Sequence, residues 1–269
     1  MSVLEQLGRP LILWAEDVGA LTMQLWTSLR RLPSVLPVVG NRRRWASAIE
    51  QTLVIGARAL PMSCTMSLCV GFVLALQGAA ELRRVGGLTY VVDLVTVGFT
   101  RELGALITAI AVSGRSGSAI SAEIGTMVVT EEMDALRVMA LNPVEFTLAP
   151  RYLGALIAMP CLTILSTVCG IFAGYIFLAF SIDMSFRVYF REVFESILLR
   201  DIWLTLIKSV VFATIIVQIG YLEGVRVSGG PEAVGRATTN AVVKSTFMVI
   251  VADLAATWFF YVMGWSIAG

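Results

Sequence analysis

The sequence of 269 residues contains no histidine, and this absence excludes several kinds of chemistry. Histidine is the general base of Ser-His-Asp triads, the commonest metal ligand and the usual proton relay near neutral pH. The four cysteines lie inside apolar segments and form no CxxC pair, so we interpret them as small apolar side chains. We therefore expect no metal site and no cofactor bound by this chain.

Charged residues are also scarce, at 14% of the sequence against 57% hydrophobic residues. A soluble domain carries about a quarter charged residues. The formal net charge of +1 provides no basic field that would attract nucleic acid. The apolar run at 11–15 is too short for a cleavable signal peptide, and two acidic residues follow it directly. These features predict an all-α integral membrane protein that inserts through internal spans.

Five stretches are apolar and long enough to cross about 30 Å of hydrocarbon as helices. They are residues 59–80, 91–114, 152–182, 202–222 and 241–265. We expect one membrane domain over 1–269, with a transmembrane bundle at 59–265 and interfacial helices at 1–58.

Two further stretches have the amphipathic pattern of helices that lie on a membrane surface. Residues 11–32 place apolar side chains three and four positions apart, with Trp14 and Trp26 as interfacial anchors. Residues 183–201 carry too much charge to span, and their apolar positions also fall on one helical face. Lysine and arginine number thirteen in the N-terminal segment and the loops on its side, against five in the opposite loops. This asymmetry predicts a cytoplasmic N-terminus and places 183–201 on the outer surface.

Four charged residues fall within the predicted spans, namely Arg101, Glu102, Lys208 and Asp253. Each charge at the membrane centre costs roughly 3 kcal/mol on insertion scales, so these side chains should face other helices or a wet cavity. Neighbours in sequence point about 100° apart on a helix, so Arg101 and Glu102 should pair with other groups. We predict an interhelical pair between Glu102 and Lys208. Its role is either architectural or part of a substrate path.

The stretch after the second span is rich in small residues at 114–125, which allow helices to approach closely. A helix of about twelve residues, roughly 18 Å long, is predicted at 130–142, with Thr130 as its N-cap. It offers Met133, Leu136 and Met139 for docking. The sequence has no GxxxxGK[ST] motif, so ATP hydrolysis would require another subunit.

Two blocks of this sequence resemble the signature motifs of the MlaE/YrbE permease family. The first is RELGALITAIAVSGRSGSAISAEIGTMVVTEEMDALRVMALNPVEFTLAPR at 101–151, and the second is GGPEAVGRATTNAVVKS at 229–245. The resemblance extends from about residue 50 to the end of the sequence. The chain departs from the family pattern at Ala105, where proline is expected, and at 231–233, where Ala-Glu-Gly is more usual.

The resemblance implies the permease subunit of an ABC transporter that moves phospholipid or a related lipid between the bacterial inner membrane and an MCE-domain protein outside it. It also implies a homodimer, with two ATPase subunits below and an MCE hexamer above. The implied coupling helix docks into the ATPase through Glu131, Glu132, Met133, Asp134, Leu136, Arg137, Met139 and Asn142. The implied substrate path includes Val70, Leu74, Gln77, Arg101, Glu102, Lys208 and Asp253. The second cytoplasmic motif contains Gly235, Arg236 and Thr238.

Two other functions compete with this interpretation. A secondary transporter or channel for an amphipathic substrate would need ion sites at broken helices and usually a repeated half, and no internal repeat is evident. A lipid-modifying enzyme would need catalytic groups, and the sequence has no histidine and no clustered Asp/Glu pair within a span.

Overall fold

The computed structural model describes residues 42–264 and, from the N-terminal segment, Gly19. Every regular element within residues 42–264 is helical. The α-helices are α1 (Arg42–Arg84), α2 (Tyr90–Gly98), α3 (Gly104–Val112), α4 (Ser118–Val129), α5 (Glu132–Val138), α6 (Ala149–Ile182), α7 (Phe186–Ser196), α8 (Leu199–Val225) and α9 (Pro231–Val262). Three π-helical segments connect some of them, at Phe99–Leu103, Ser113–Gly117 and Val144–Leu148.

The described part of the chain contains five helical runs that are long and apolar enough to cross a membrane, as the sequence predicted. They are Ile49–Arg84, Tyr90–Val129, Phe146–Ile182, Leu199–Val225 and Pro231–Val262. The chain is therefore an all-α, multi-pass membrane protein. Apart from Gly19, the amphipathic helix predicted at 11–32 lies outside the described residues. The one predicted at 183–201 forms α7, which ends at Ser196, and α8 begins at Leu199.

The second run differs from the prediction, which placed a loop after Gly114. The two π-helical segments continue the helix instead of breaking it, so α2, α3 and α4 form one run of 40 residues. The small residues after Gly114 serve helix packing in this run. A Cβ on Gly220 of α8 would lie 2.9 Å from the carbonyl oxygen of Gly117. Close packing on α8 thus stabilises a glycine- and serine-rich helix that local propensity disfavours.

The bundle has two ends, the α5 end and the α7 end, each named after the short helix that lies there. At the α5 end, α4 ends beside the start of α9, and Gly125 of α4 lies against Val234 of α9. At the α7 end, the Tyr189 hydroxyl of α7 donates a hydrogen bond of 2.8 Å to the carbonyl oxygen of Ile171 in α6. Burial raises the pKa of Tyr189, so this hydroxyl stays protonated and continues to donate. The bond holds α7 against the bundle.

Helices α1 and α6 pack side by side over most of their length and run in the same direction. Glycine permits their closest approach at two points. A Cβ on Gly154 would lie 2.9 Å from the backbone carbon of Gln51, and one on Gly71 would collide with the carbonyl oxygen of Gly170. Such contacts maximise packing between helices where lipid supplies no hydrophobic drive for association.

We predict that Gly71→Ala destabilises the protein, because the added methyl group meets backbone that cannot move aside. Overpacking of this kind costs about 1–3 kcal/mol. The matched control is Gly56→Ala on the same helix, where the new Cβ would meet the Ala158 Cβ at 3.6 Å, an ordinary contact. The midpoint of thermal unfolding in detergent should fall for Gly71→Ala and stay unchanged or rise for Gly56→Ala. Equal midpoints for the two variants would contradict this account of the α1–α6 contact.

Candidate functional site

A cluster of charged side chains lies inside the bundle where the second, fourth and fifth spans meet. Arg101 and Glu102 sit in the π-helical segment Phe99–Leu103. A π-helical turn carries an extra residue, and such turns occur often at functional sites. Lys208 comes from α8 and Asp253 from α9. The four charges predicted within spans thus come together in one region, although they are far apart in sequence.

Lys208 is the centre of this cluster, and only 2% of its side chain is exposed. Its ammonium group donates to the Glu102 carboxylate at 2.5 Å and to the Thr257 hydroxyl at 2.8 Å. It also forms an ion pair with Asp253 at 2.9 Å. The Glu102–Lys208 pair predicted from the sequence is therefore present. Since an ammonium group has three donors, these contacts use its hydrogen-bonding capacity.

Thr257 closes the network from α9. Its hydroxyl lies 3.0 and 3.1 Å from the two carboxylate oxygens of Glu102, to which it donates while accepting from Lys208. Thr257 follows Asp253 by one helical turn, so both side chains project from the same face of α9. The network therefore joins the π-helical segment, α8 and α9, and Lys208 adds a longer contact of 3.4 Å to the backbone carbonyl of Arg101.

Arg101 turns away from Glu102 and pairs with Asp201, whose carboxylate lies 3.0 Å from Nε. Asp201 is almost fully buried. Asp201 was not predicted from the sequence, because residues 183–201 were assigned to the surface helix and the fourth span to residues 202–222. A signal was present: Asp201 precedes Lys208 by seven residues, which places both on one face of a helix. With Asp201 included, three carboxylates face two cations in the described part of this region.

The expected path residues on α1 occupy different environments. Leu74 packs beside Gly98, and Gly98 precedes Arg101 by three residues. A Cβ added to Gly98 would lie 3.6 Å from the Leu74 side chain. Val70 and Gln77 are exposed on α1. The structure thus brings Leu74 close to the segment that carries the charges, and it leaves Val70 and Gln77 on the surface of this single chain.

The predicted coupling helix is shorter than expected. It covers the seven residues of α5, about 10 Å, in place of the roughly 18 Å predicted for 130–142. Thr130 is not its N-cap, because its hydroxyl donates back to the Thr126 carbonyl at 2.9 Å. Glu131 holds the N-cap position in a left-handed conformation with φ of 61°. At the other end Asn142 lies beyond the helix and accepts the Val144 N–H at 3.1 Å.

The two faces of α5 have different roles from those predicted. Met133 and Leu136 are 5% and 7% exposed and belong to the main core cluster of the bundle. They anchor α5 to the chain and are not available for docking, which corrects the sequence prediction. Val138 and Met139 are 88% and 60% exposed at the end of the helix.

The remaining polar residues of α5 surround this exposed end. Glu131, Glu132 and Asp134 are exposed, and Arg137 forms an exposed ion pair of 2.7 Å with Asp134. Side-chain pairs on an exposed helix surface add little stability, so these charges remain available to a partner. The free surface of α5 therefore combines two apolar side chains with a mostly acidic border.

The second motif lies at the start of α9, at the same end of the bundle as α5. Gly235 and Arg236 are exposed, and Arg236 pairs with Glu232 one turn earlier at 2.7 Å. The Thr238 hydroxyl donates to the Gly235 carbonyl at 2.7 Å. Both motifs thus expose polar surface at the α5 end.

We predict that Lys208→Met destabilises the protein by about 3–5 kcal/mol, since it leaves buried carboxylates without their cation. The triple variant Lys208→Met, Glu102→Gln, Asp253→Asn removes the unpaired charges and should recover most of that loss. Arg236→Met is the control, because its pair with Glu232 is exposed and worth at most about 1 kcal/mol. Thermal unfolding in detergent measures all three. An unchanged midpoint for Lys208→Met would show that the cluster does not stabilise the bundle.

Comparison with known proteins identifies the family. Residues 48–259 match the model of the family described as Permease MlaE. A probable ABC transporter permease protein of Rickettsia felis is 31% identical over 97% of this chain and 98% of its own length. A probable ABC transporter permease protein of Synechocystis is 32% identical over 82% of this chain and 83% of its own. The Arabidopsis thaliana protein named TRIGALACTOSYLDIACYLGLYCEROL 1, chloroplastic, is 32% identical over 84% of this chain and 65% of its own.

The match covers all five spans, the charged cluster, α5 and most of α9, and the relatives aligned over most of their length are named as permeases. The chain therefore belongs to the MlaE permease family and is a permease subunit of an ABC transporter.

Proposed function

We propose that this chain moves phospholipid or a related lipid between a bacterial inner membrane and an MCE-domain protein outside it, driven by a separate ATPase subunit. The observation that carries the proposal is the open face of α9 beside the charged cluster. Apolar surface next to accessible charge suits a molecule with acyl chains and a polar headgroup. The Arabidopsis relative supports a lipid substrate, since it is named for a diacyl lipid with a sugar headgroup.

Helix α9 is the least covered of the five spans. Its buried residues are Ala237, Ala241, Ser245 and Val249, a single stripe four residues apart. Large apolar side chains occupy its other faces. After Val249 none of its described residues is buried, so exposed side chains lie all around the helix. The exposed residues in that half include Ile250, Leu254, Trp258, Phe259 and Tyr261. Lipid tails or a second protein chain must cover this surface in the membrane.

The charged cluster opens onto this half of α9. Lys208 is buried, whereas about a third of the Glu102 side chain is exposed and Thr257 is exposed as well. A headgroup that reached the cluster would therefore meet Glu102 and Thr257 first. We propose that Arg101, Glu102, Lys208 and Asp253 line the polar part of the path. Leu74, Val70 and Gln77 would line its wall on α1.

A second copy of this chain is the partner we propose for the open face of α9. Pairing two such faces would cover the apolar side chains and enclose the two charged clusters around a shared cavity. Large exposed apolar surfaces of this kind mark interaction sites. Two-fold pairing is also the commonest symmetry of homo-oligomers. The proposed homodimer thus provides both burial and a cavity.

The ATPase subunit is proposed to dock at the α5 end. The chain lacks a phosphate-binding GxxxxGK[ST] motif, so the nucleotide site must lie in another subunit. Val138 and Met139 offer the apolar contact, and Met133 with Leu136 transmits force into the core of the bundle. We propose that this end lies in the cytoplasm, where ATP is present, because the excess of lysine and arginine on the N-terminal side favours that orientation. The MCE-domain protein would then meet the α7 end.

We predict that Val138→Asp uncouples the ATPase while leaving the permease in the membrane. A carboxylate at an 88% exposed position costs the single chain little, but it cannot enter an apolar docking pocket. Co-purification of the ATPase with the permease and ATP turnover of the complex should both fall at least about tenfold.

Val85→Asp is the matched control for this variant, because Val85 is 78% exposed directly after the end of α1 and far from α5 in the chain. It should leave ATPase binding and turnover unchanged. Wild-type turnover in Val138→Asp would show that α5 does not dock the motor. Leu136→Asp is unsuitable for this test, since that side chain is buried in the core.

We also predict that Leu254→Cys cross-links two copies of the chain in membranes, because Leu254 lies in the open half of α9. The four native cysteines are first replaced by alanine to remove background. Val168→Cys on α6 is the control, as this residue is also exposed and apolar but lies on a different span. Oxidation with copper phenanthroline should give a covalent dimer for Leu254→Cys only. Cross-linking at Val168 and not at Leu254 would place the dimer interface elsewhere.

A further inference from the structure

Arg200 is the second residue of α8, at the α7 end of the bundle, and two of its three guanidinium nitrogens lack a partner. Its Nε and Nη2 atoms are covered from solvent and have no hydrogen-bond partner among the described residues. Arginine stays protonated under all ordinary conditions, so it cannot remove this charge by losing a proton. A cation whose donors are shielded from water and unpaired in protein calls for an anion from elsewhere.

Three acidic residues at the α7 end form contacts with groups other than Arg200. Asp201, next in sequence, is paired with Arg101 on the adjacent face of α8. On α7, Glu195 is paired with Arg191 at 2.9 Å. Asp93 of α2 accepts a hydrogen bond from the Ser196 hydroxyl. None of these three carboxylates is paired with Arg200.

Below Arg200, the same face of α8 carries an apolar stripe. Trp203, Ile207 and Val211 follow at steps of three and four residues, so they lie in line with Arg200 along the helix. All three are exposed, Trp203 by 61%. From Arg200 to Val211 the helix rises about 16 Å, close to half of the roughly 30 Å hydrocarbon core. The stripe therefore spans about one leaflet.

We propose that this stripe is a binding site for one phospholipid molecule, with its phosphate on Arg200 and an acyl chain along Trp203, Ile207 and Val211. The planar guanidinium group binds phosphate through two parallel N–H donors. Nε and Nη2 of Arg200, which the protein covers in this structure, would turn outward to make these bonds. Tryptophan favours the boundary between headgroups and hydrocarbon, where Trp203 lies just below the arginine. The positive charge of Arg200 complements a phosphate group, and the length of the stripe matches one leaflet. Both features favour a phospholipid as the occupant.

This site is separate from the charged cluster at the centre of the bundle. Lys208 projects about 100° from Ile207 on the same helix and points inward, whereas the stripe is exposed. The stripe and the cluster are linked through neighbours in sequence. Arg200 belongs to the stripe, and the next residue, Asp201, is paired with Arg101 of the cluster region. The inference deepens the proposed lipid transport by giving a lateral site at which a lipid waits outside the cavity.

The experiment uses the full-length chain purified in detergent with any subunits that remain bound, without ATP. Thermal unfolding is followed while dioleoyl phosphatidylglycerol is added. A ligand that binds the folded state raises the unfolding midpoint. The wild type should show a saturable rise. Arg200→Met should need at least about tenfold more lipid, because it loses charge-assisted hydrogen bonds. Arg200→Lys keeps the positive charge but lacks the two parallel N–H donors, so the lipid concentration that it needs should lie between those of the wild type and Arg200→Met.

Several controls separate this site from general effects. Arg187→Met removes an exposed arginine of α7 and should respond to lipid like the wild type. Without added lipid, Arg200→Met should unfold at or above the wild-type midpoint, since it removes an uncompensated charge. Dioleoylglycerol, which has the same chains and no phosphate, should give no saturable rise in the wild type, and neither should inorganic phosphate.

An equal lipid response of Arg200→Met and wild type would overturn the proposal. So would an equal effect of dioleoylglycerol or of inorganic phosphate on the wild type. The assay measures binding alone, so its failure leaves the proposed ATP-driven transport untouched. Conversely, a complex that binds phosphatidylglycerol through Arg200 but moves no lipid would contradict the transport proposal only.

Discussion

The ammonium group of Lys208 joins three spans of the bundle inside the membrane. A charge in the membrane is tolerated only when it is paired, so Lys208 fixes the relative positions of Glu102 on the second span and Asp253 on the fifth. This matters most for the second half of α9, because its buried stripe of mostly small residues ends at Val249 and its other ion pair with α8, Lys244–Glu223, lies nearer its start. The same pairing therefore stabilises the fold and leaves the large apolar face of α9 open, where the proposed dimer and lipid path would form.

The two ends of the bundle are prepared for different contacts. At the α5 end, ion pairs of 2.7 and 2.8 Å join α4 to α6 and α8 to α9, through Glu123–Arg151 and Glu223–Lys244. Met133 and Leu136 add α5 to this framework, so a push on its exposed end reaches several spans together. At the α7 end, the surface helix packs on α2 and α6, and Arg200 presents an unpaired cation. We infer that force enters at the first end and lipid is exchanged near the second.

Hydropathy and charge were enough to predict five spans, the surface helix α7 and the Glu102–Lys208 pair, because each depends on the cost of polar groups in lipid. The continuation of the second span to Val129 could not be predicted in this way, since it depends on close contact between Gly117 and α8. The length of α5 and the burial of Leu136 depend on tertiary contacts that spacing alone does not reveal. Asp201 was within reach of the sequence, given its seven-residue separation from Lys208, but the assumed helix boundary excluded it.

The most direct test of the central claim is lipid movement by the reconstituted complex. The permease, its ATPase and the MCE-domain protein would be placed in liposomes that contain a fluorescent phospholipid, and its transfer between the bilayer and the MCE-domain protein measured. We expect ATP to accelerate transfer, a non-hydrolysable analogue to have no such effect, and a proton or sodium gradient without ATP to have none. Transfer driven by an ion gradient in the absence of ATP would contradict the account and favour a secondary transporter.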